Sequence, residues 1–227
     1  MKDFKECILY EDKHFIVCHK PPGIPVQSAG VGVLDLECAC LNYLNGKENG
    51  QVRQPYVGIV HRLDQPVEGL LVMAKSKRAA KSLSAQVQDG KMGKEYLAVV
   101  QGKMEPAEGM LEDWLLKDNK KRMARVVPAG TKGAKEARLH YRVVESKGES
   151  SLVKIHLVTG RFHQIRVQFS HRGHPLEGDR KYNSQGSDSS EGIGLCAHRL
   201  SLIHPASNKE MSWEIWPEGR AFLGWHA

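Results

Sequence analysis

Val57-Gly58-Ile59-Val60-His61-Arg62-Leu63-Asp64, then Gln65-Pro66-Val67-Glu68, then Gly69-Leu70-Leu71-Val72-Met73-Ala74, is the stretch that decides how this chain is read. Two short apolar runs flank a polar centre that contains a proline. Such runs, too short for helices and bounded by turn residues, predict a strand, a loop and a second strand. The loop sets Asp64 at a strand end with Arg62 two positions before it. A nearby cation lowers a carboxyl pKa, so this spacing suits an ionised nucleophile or base. On the residues alone, a surface turn with a local ion pair is the commoner arrangement, and such pairs contribute little.

The same pattern extends outward on both sides. Ile8-Leu9-Tyr10 and Phe15-Ile16-Val17-Cys18 predict two strands around the polar turn Glu11-Asp12-Lys13. Lys20-Pro21-Pro22-Gly23-Ile24-Pro25 follows, where prolines rule out a regular ladder. A helix is expected next, with Leu34, Cys38, Leu41 and Leu44 along one face, ending at Asn45-Gly46. A second helix is predicted after Ser76 as its cap, with a stripe of Ala79, Ala80, Leu83 and Val87 and a stop at Gly90. From Lys94 to Trp216 the alternation is that of strands, interrupted by a helical segment from His163 to His171. Strands and helices do not alternate regularly, which predicts an α+β class. No internal repeat or linker is present, so residues 1–227 are expected to form a single domain.

The net charge of +7 and pI near 9.1 favour a polyanionic partner. No apolar run reaches the length of a membrane span and the N-terminus has no signal-peptide core, so the expected location is cytoplasmic. Five scattered cysteines without a Cys-x-x-Cys pair predict reduced thiols rather than a disulfide framework or a zinc site. The sequence has no Walker loop, dinucleotide fingerprint or Gly-x-Ser-x-Gly elbow, which argues against nucleotide cofactors and serine-hydrolase chemistry.

Gly160-Arg161-Phe162-His163-Gln164-Ile165-Arg166-Val167 gathers four polar side chains where a helix is expected to begin. Helix N-termini bind anions through their free N–H groups, and this crowding points to function. His163, His171 and His174 do not match a metal-ligand spacing, so no metal is expected. Tyr96, alternating on its strand, reads from the residues alone as core packing.

Taken in order, these segments resemble the RluA-type family of RNA pseudouridine synthases. Leu9-Tyr10-Glu11-Asp12 with Lys20-Pro21-Pro22-Gly23 is similar to the family's entry strand and Lys-Pro-x-Gly segment. His61-Arg62-Leu63-Asp64 with Gly69-Leu70-Leu71-Val72 resembles its signature around the catalytic aspartate. Lys94-Glu95-Tyr96-Leu97-Ala98 resembles the strand of its active-site tyrosine. Gly160 to Val167, with Gly173-His174-Pro175-Leu176 and Gly178-Asp179, resembles its third motif, and His198-Arg199-Leu200 with His204-Pro205 its closing strand. The chain departs from the family at Gln65-Pro66-Val67-Glu68, where a basic residue and Thr-Ser-Gly are usual, and at Phe162, where threonine is usual.

The resemblance implies a mixed, largely antiparallel sheet in two halves flanked by helices, with an active-site cleft across the middle. It implies isomerisation of uridine to pseudouridine in ribosomal or transfer RNA, without a cofactor; a monomer is the default expectation. Asp64 would be the catalytic carboxylate, Arg166 the cation that pairs with it, and Tyr96 the ring that stacks on the target base. Arg62, Lys20, Arg161 and Arg199 would contact RNA, phosphates above all. Because the catalytic motifs begin within the first ten residues, an N-terminal S4 domain is expected to be absent. Specificity would then come from the cleft and from loops such as Lys47–Gln54 and Gln185–Glu191.

Overall fold

The computed structural model describes residues 3–28, 30, 32–47, 55–183 and 192–226. The two loops expected to carry specificity therefore lie outside the described residues, apart from the backbone of Lys47. The class is α+β, as expected, with a mostly antiparallel sheet and, among the described residues, three α-helices. The chain divides into two compact units, residues 1–93 with 197–216 and residues 94–196 with 217–227.

In the first unit, β1 (Ile8–Glu11) pairs antiparallel with β2 (Phe15–Lys20), and β2 with β4 (Glu68–Ala74). The two-residue β3 (Gly58–Ile59) pairs with the far end of β4, and β10 (Leu195–Ile203) lies on its other side with β11 (Glu210–Glu214) outermost. Every residue of β4 is buried, which explains its unbroken apolar reading: a central strand covered on both faces has no polar side. One face is covered by α2 (Lys77–Gln88), whose Ala79 and Leu83 join Phe15, Val17, Leu70, Val72 and Leu202 in one core. Ser76 caps α2 by accepting the Ala79 N–H at 3.2 Å, and Gly90 leaves it at φ 68°. Both helix ends fall where their capping residues predict.

Helix α1 (Leu36–Lys47) corrects one expectation. Leu34 is 50% exposed and lies before the helix, and Cys38 is exposed, so the predicted stripe is not the buried one. Asp35 caps the helix: its carboxylate accepts the Cys38 N–H at 2.8 Å and the Ser28 N–H at 2.7 Å. That cap sets the phase of the first turn, and Leu36, Ala39, Cys40 and Leu44 point inward. All five cysteines are free thiols. Burial raises the Cys18 thiol, with Cys40 and Cys7 adding to it, and holds Cys40 up at about 12. These are packing groups, not nucleophiles.

The second unit is a sheet in the order β5 (Gly93–Gln101), β9 (Ser150–Leu157), β8 (Lys135–Lys147), β6 (Glu108–Asp118) and β7 (Met123–Val127), all antiparallel. α3 (Gln164–His171) packs against it through fully buried Phe169, which meets Tyr141 edge-on at 6.0 Å. Val167 completes a small core with Leu115, Ala124 and Ala137.

Gly69, which opens β4's apolar run, has φ 131°, and a Cβ there would lie 2.4 Å from the Ala197 backbone nitrogen. Backbone cannot yield as a side-chain tip does. Gly69→Ala is therefore expected to cost at least about 3 kcal/mol, read as a lowered denaturant midpoint. A loss under about 1 kcal/mol would show that β4 and β10 do not approach this closely.

Candidate active site

The candidate site is described within each unit. In the first, His61, Arg62, Leu63 and Asp64 form the passage from β3 to β4. His61 accepts the Val72 N–H on its Nε2 at 3.1 Å, which ties the start of the passage to the middle of β4. Leu63 is buried, Asp64 half-buried and Arg62 exposed. The Asp64 carbonyl accepts the Val67 N–H at 3.0 Å, closing the turn through Gln65 and Pro66.

That turn is stitched to the Pro21–Pro25 segment. The Gln65 carbonyl accepts the Gly23 N–H at 2.9 Å, and the Gln65 amide donates to the Gly23 carbonyl at 2.9 Å. Lys20 lies beneath both loops, fully buried, where its ammonium donates to the carbonyls of Pro21 (2.9 Å), Ile24 (2.8 Å) and Gln65 (3.1 Å). Three donors meet three acceptors, so the charge is buried but its hydrogen bonds are made. This corrects the expectation that Lys20 contacts phosphate, since a fully buried ammonium committed to three carbonyls presents no surface to RNA. Desolvation lowers its pKa to about 7, opposed by the charges of Asp64 and Glu68 among others. Glu68 is itself buried and lies 3.5 Å from the His19 ring.

In the second unit, Tyr96 is a buried residue of β5, opposite Ile155 of β9. Arg166 sits in the first turn of α3, 3% exposed. Its Nε and Nη2 donate to the two carboxylate oxygens of fully buried Asp179, each at 2.7 Å. A two-point fork fixes the plane of a guanidinium as well as its position. Gln164 secures the start of the same helix: its amide oxygen accepts from the Arg161 N–H and the Thr159 hydroxyl, both at 2.9 Å, and its amide nitrogen donates to the Arg138 carbonyl. Gln168 holds the middle by donating to the Leu111 and Ala137 carbonyls and to Asp113. Arg161 is exposed, with its Nε on the Glu136 carbonyl, and Arg199 is exposed on β10 of the first unit.

The clamping roles of Lys20 and Asp179 were not readable as such. The signal for Lys20 was present: Pro21, Pro22 and Pro25 supply carbonyls but no N–H, so donors must come from elsewhere. Asp179 stood in a quoted motif without a partner assigned to it.

Two other features fall outside this arrangement. A concavity of about 660 Å³ on the second unit, lined by Glu95, His140, Arg142, Lys154 and His156, opens on the face of β5 away from Tyr96. Asp12, His14 and His204 bring three ligand-type atoms within 4.8 Å of one another. However, the Asp12 carboxylate already accepts the backbone N–H groups of His14 and Phe15 and pairs with His204 Nε2 at 2.7 Å. The His204 Nδ1 accepts from Ala206 and Ser207, which puts the ring proton on Nε2, facing Asp12. This is a satisfied structural network.

Residues 14–171 match the family model described as RNA pseudouridylate synthase, and the chain belongs to that family. It is 37% identical over 215 residues to the ribosomal large subunit pseudouridine synthase D of Nitrosomonas europaea, covering 91% of this chain and 60% of the relative. It is 36% identical over 211 residues to an uncharacterised RNA pseudouridine synthase of Synechocystis, covering 89% and 62%. The chain thus spans about three fifths of the length of these relatives. A solved structure, human RNA pseudouridylate synthase domain containing 4, superposes with a TM-score of 0.78 at 24% identity, covering 96% of this chain and 91% of that one; it shares the fold.

Lys20 generates a pH prediction. Its pKa is near 7 in the fold against 10.5 when unperturbed, so between those values the unfolded chain binds the extra proton. The penalty for burying the charge is full below pH 7, and stability rises with pH across the window, by up to about 1.4 kcal/mol per unit. Lys20→Met should flatten that rise in denaturant titrations from pH 7 to 10. An unchanged slope would place the Lys20 titration outside this range.

Proposed function

We propose that the chain is an RNA pseudouridine synthase that isomerises specific uridines of ribosomal or transfer RNA. The observation that carries the reading is the family match over residues 14–171, a span that includes Asp64, Tyr96 and Arg166. The relatives named for the ribosomal large subunit favour ribosomal RNA as the substrate.

In the reaction the N1–C1′ bond of uridine breaks, the base turns, and C5 bonds to C1′. Atoms and electrons balance within the nucleotide, so the chemistry calls for no cofactor. Asp64 is the carboxylate that acts on the sugar or base. Its turn is held by the Gln65–Gly23 pair and by Lys20, an arrangement that keeps a reacting group from wandering. Arg166, its plane fixed by Asp179, is the basic residue that serves the reaction. Tyr96 stacks on the extruded base and assists loss of the C5 proton. Arg62, Arg161 and Arg199, all exposed, contact phosphates or support the displaced strand. A cytoplasmic monomer belongs to the same reading; among the described residues no helix is long and apolar enough to cross a membrane.

The test is pseudouridine mapping of total RNA from a strain lacking the gene, complemented with wild type or with Asp64→Asn. Wild type is expected to restore the lost sites. Asp64→Asn should reduce modification by at least about 10³-fold while leaving the protein folded. Restoration by Asp64→Asn equal to wild type would end the assignment of Asp64.

A further inference from the structure

Phe162 is a large apolar ring, 36% exposed, for which the chemistry above has no use. It lies two residues before α3, next to the helix N-cap His163. Its ring lies flat on that of His163, with centroids 3.8 Å apart and planes 21° apart, so one face is closed. Over the ring stands the ammonium of Lys117, 4.8 Å from the centroid.

The support beneath Phe162 is firmly held. His163 has φ 54°, a left-handed conformation uncommon for a residue with a side chain. Its Nδ1 lies 2.8 Å from the Tyr182 hydroxyl, which also accepts the Ala124 N–H at 2.7 Å. The His163 and Tyr182 rings meet edge-on, and the Arg166 guanidinium lies 5.3 Å from the Tyr182 centroid. Phe162, His163, Tyr182 and Arg166 thus form a continuous row from the surface to the buried cation.

The surface around the open end is strongly basic. Between residues 117 and 125 the β6–β7 hairpin carries Lys117, Lys120, Lys121, Arg122 and Arg125, all exposed, against the single acid Asp118. Asp118 is engaged in the turn, accepting the N–H groups of Lys120 and Lys121 at 2.9 Å. A protein-binding patch is depleted in lysine, whereas an aromatic ring among cations is the chemistry that holds single-stranded nucleic acid.

We propose that Phe162 is a specificity-determining residue, a platform on which an unpaired base flanking the target uridine stacks, with the β6–β7 hairpin cations on the adjoining phosphates. The proposal rests on the synthase reading for its substrate and adds to it the residue that reads a neighbouring nucleotide. Lys117 moves on its long stem from the ring to a phosphate as the base takes the open face.

The experiment titrates the purified full chain, in the Asp64→Asn background, with a single-stranded RNA 12-mer whose central uridine is flanked by 2-aminopurine. Stacking is expected to quench the 2-aminopurine fluorescence. Phe162→Ala and Phe162→Thr should lose the quench and weaken binding by about 5- to 100-fold, and Phe162→Trp should retain both. Phe162→Leu, which keeps the apolar bulk without the π-system, guards against misfolding and should behave like Phe162→Ala. Lys117→Gln with Arg125→Gln should make the salt dependence shallower by about 1.4 in the log–log slope. Quench and affinity unchanged in Phe162→Leu would overturn the proposal, as would absence of quench with the Asp64→Asn parent. Failure of the synthase reading shows separately, as no site restored by wild type in the mapping.

Discussion

A charged ammonium with no access to water organises the first unit's candidate site. Lys20 is the last residue of β2, paired in register with Gly69 of β4, so the sheet fixes where its side chain starts. From there Nζ reaches the carbonyls of Pro21, Ile24 and Gln65. Those carbonyls belong to two segments that have no ladder of their own, one rich in proline and one a tight turn. Without the ammonium the Pro21 and Ile24 carbonyls would lose the donor they have, at about 1–3 kcal/mol for each acceptor left unsatisfied, while the Gln65 carbonyl would keep the Gly23 N–H. The cost of desolvating Lys20, visible in its lowered pKa, is offset by satisfying all three and by the carboxylates of Asp64 and Glu68 nearby. The same contacts that make the loops foldable thus determine where the backbone of Asp64 lies.

The second unit uses buried polarity in a similar way. α3 is only eight residues long, too short to be stable by itself, and it buries Gln164, Arg166 and Gln168 along with its apolar side. Apolar packing alone would tolerate some sliding or rotation of so short a helix. Gln164 on the Arg138 carbonyl, Gln168 on Leu111 and Ala137, and Arg166 on Asp179 each accept only one placement. Removing one member of the Arg166–Asp179 pair would leave the other charge buried, which is why the pair specifies geometry more than it adds stability.

Much of this fold was legible because local chemistry and tertiary packing agree. Ser76 and Gly90 bracket α2, and the unbroken apolar run of β4 marks a strand buried on both faces. On α1 a stripe counted from Leu34 differs from the buried one because the capping carboxylate of Asp35 starts the helix at Leu36, two residues later. At the site, the residue types of Asp64, Tyr96 and Arg166 could be singled out, but Tyr96 read as core by itself and is indeed buried. The charge of Lys20 points outward to RNA, whereas the neighbouring prolines, which bring carbonyls without N–H groups, point to the inward role that the folded loops show. Asp179 stands 13 residues from Arg166, a pairing that no helical or strand period brings together.

The proposed isomerisation moves no electrons to or from an outside group, so its rate is to come from placement and electrostatics. That requirement bears on how the proposed residues are held rather than on which they are. Each is reached through a side chain whose hydrogen-bonding capacity is largely spent on structure: Asp64 through Lys20 and Gln65, Arg166 through Asp179, and the α3 start through Gln164. Supports of this kind keep a reacting group within the tolerance that productive geometry demands. Arg62 and the cations of the β6–β7 hairpin, by contrast, are exposed at the surface. Rigid supports beneath adaptable surface contacts are the division of labour that the proposed reaction on RNA calls for.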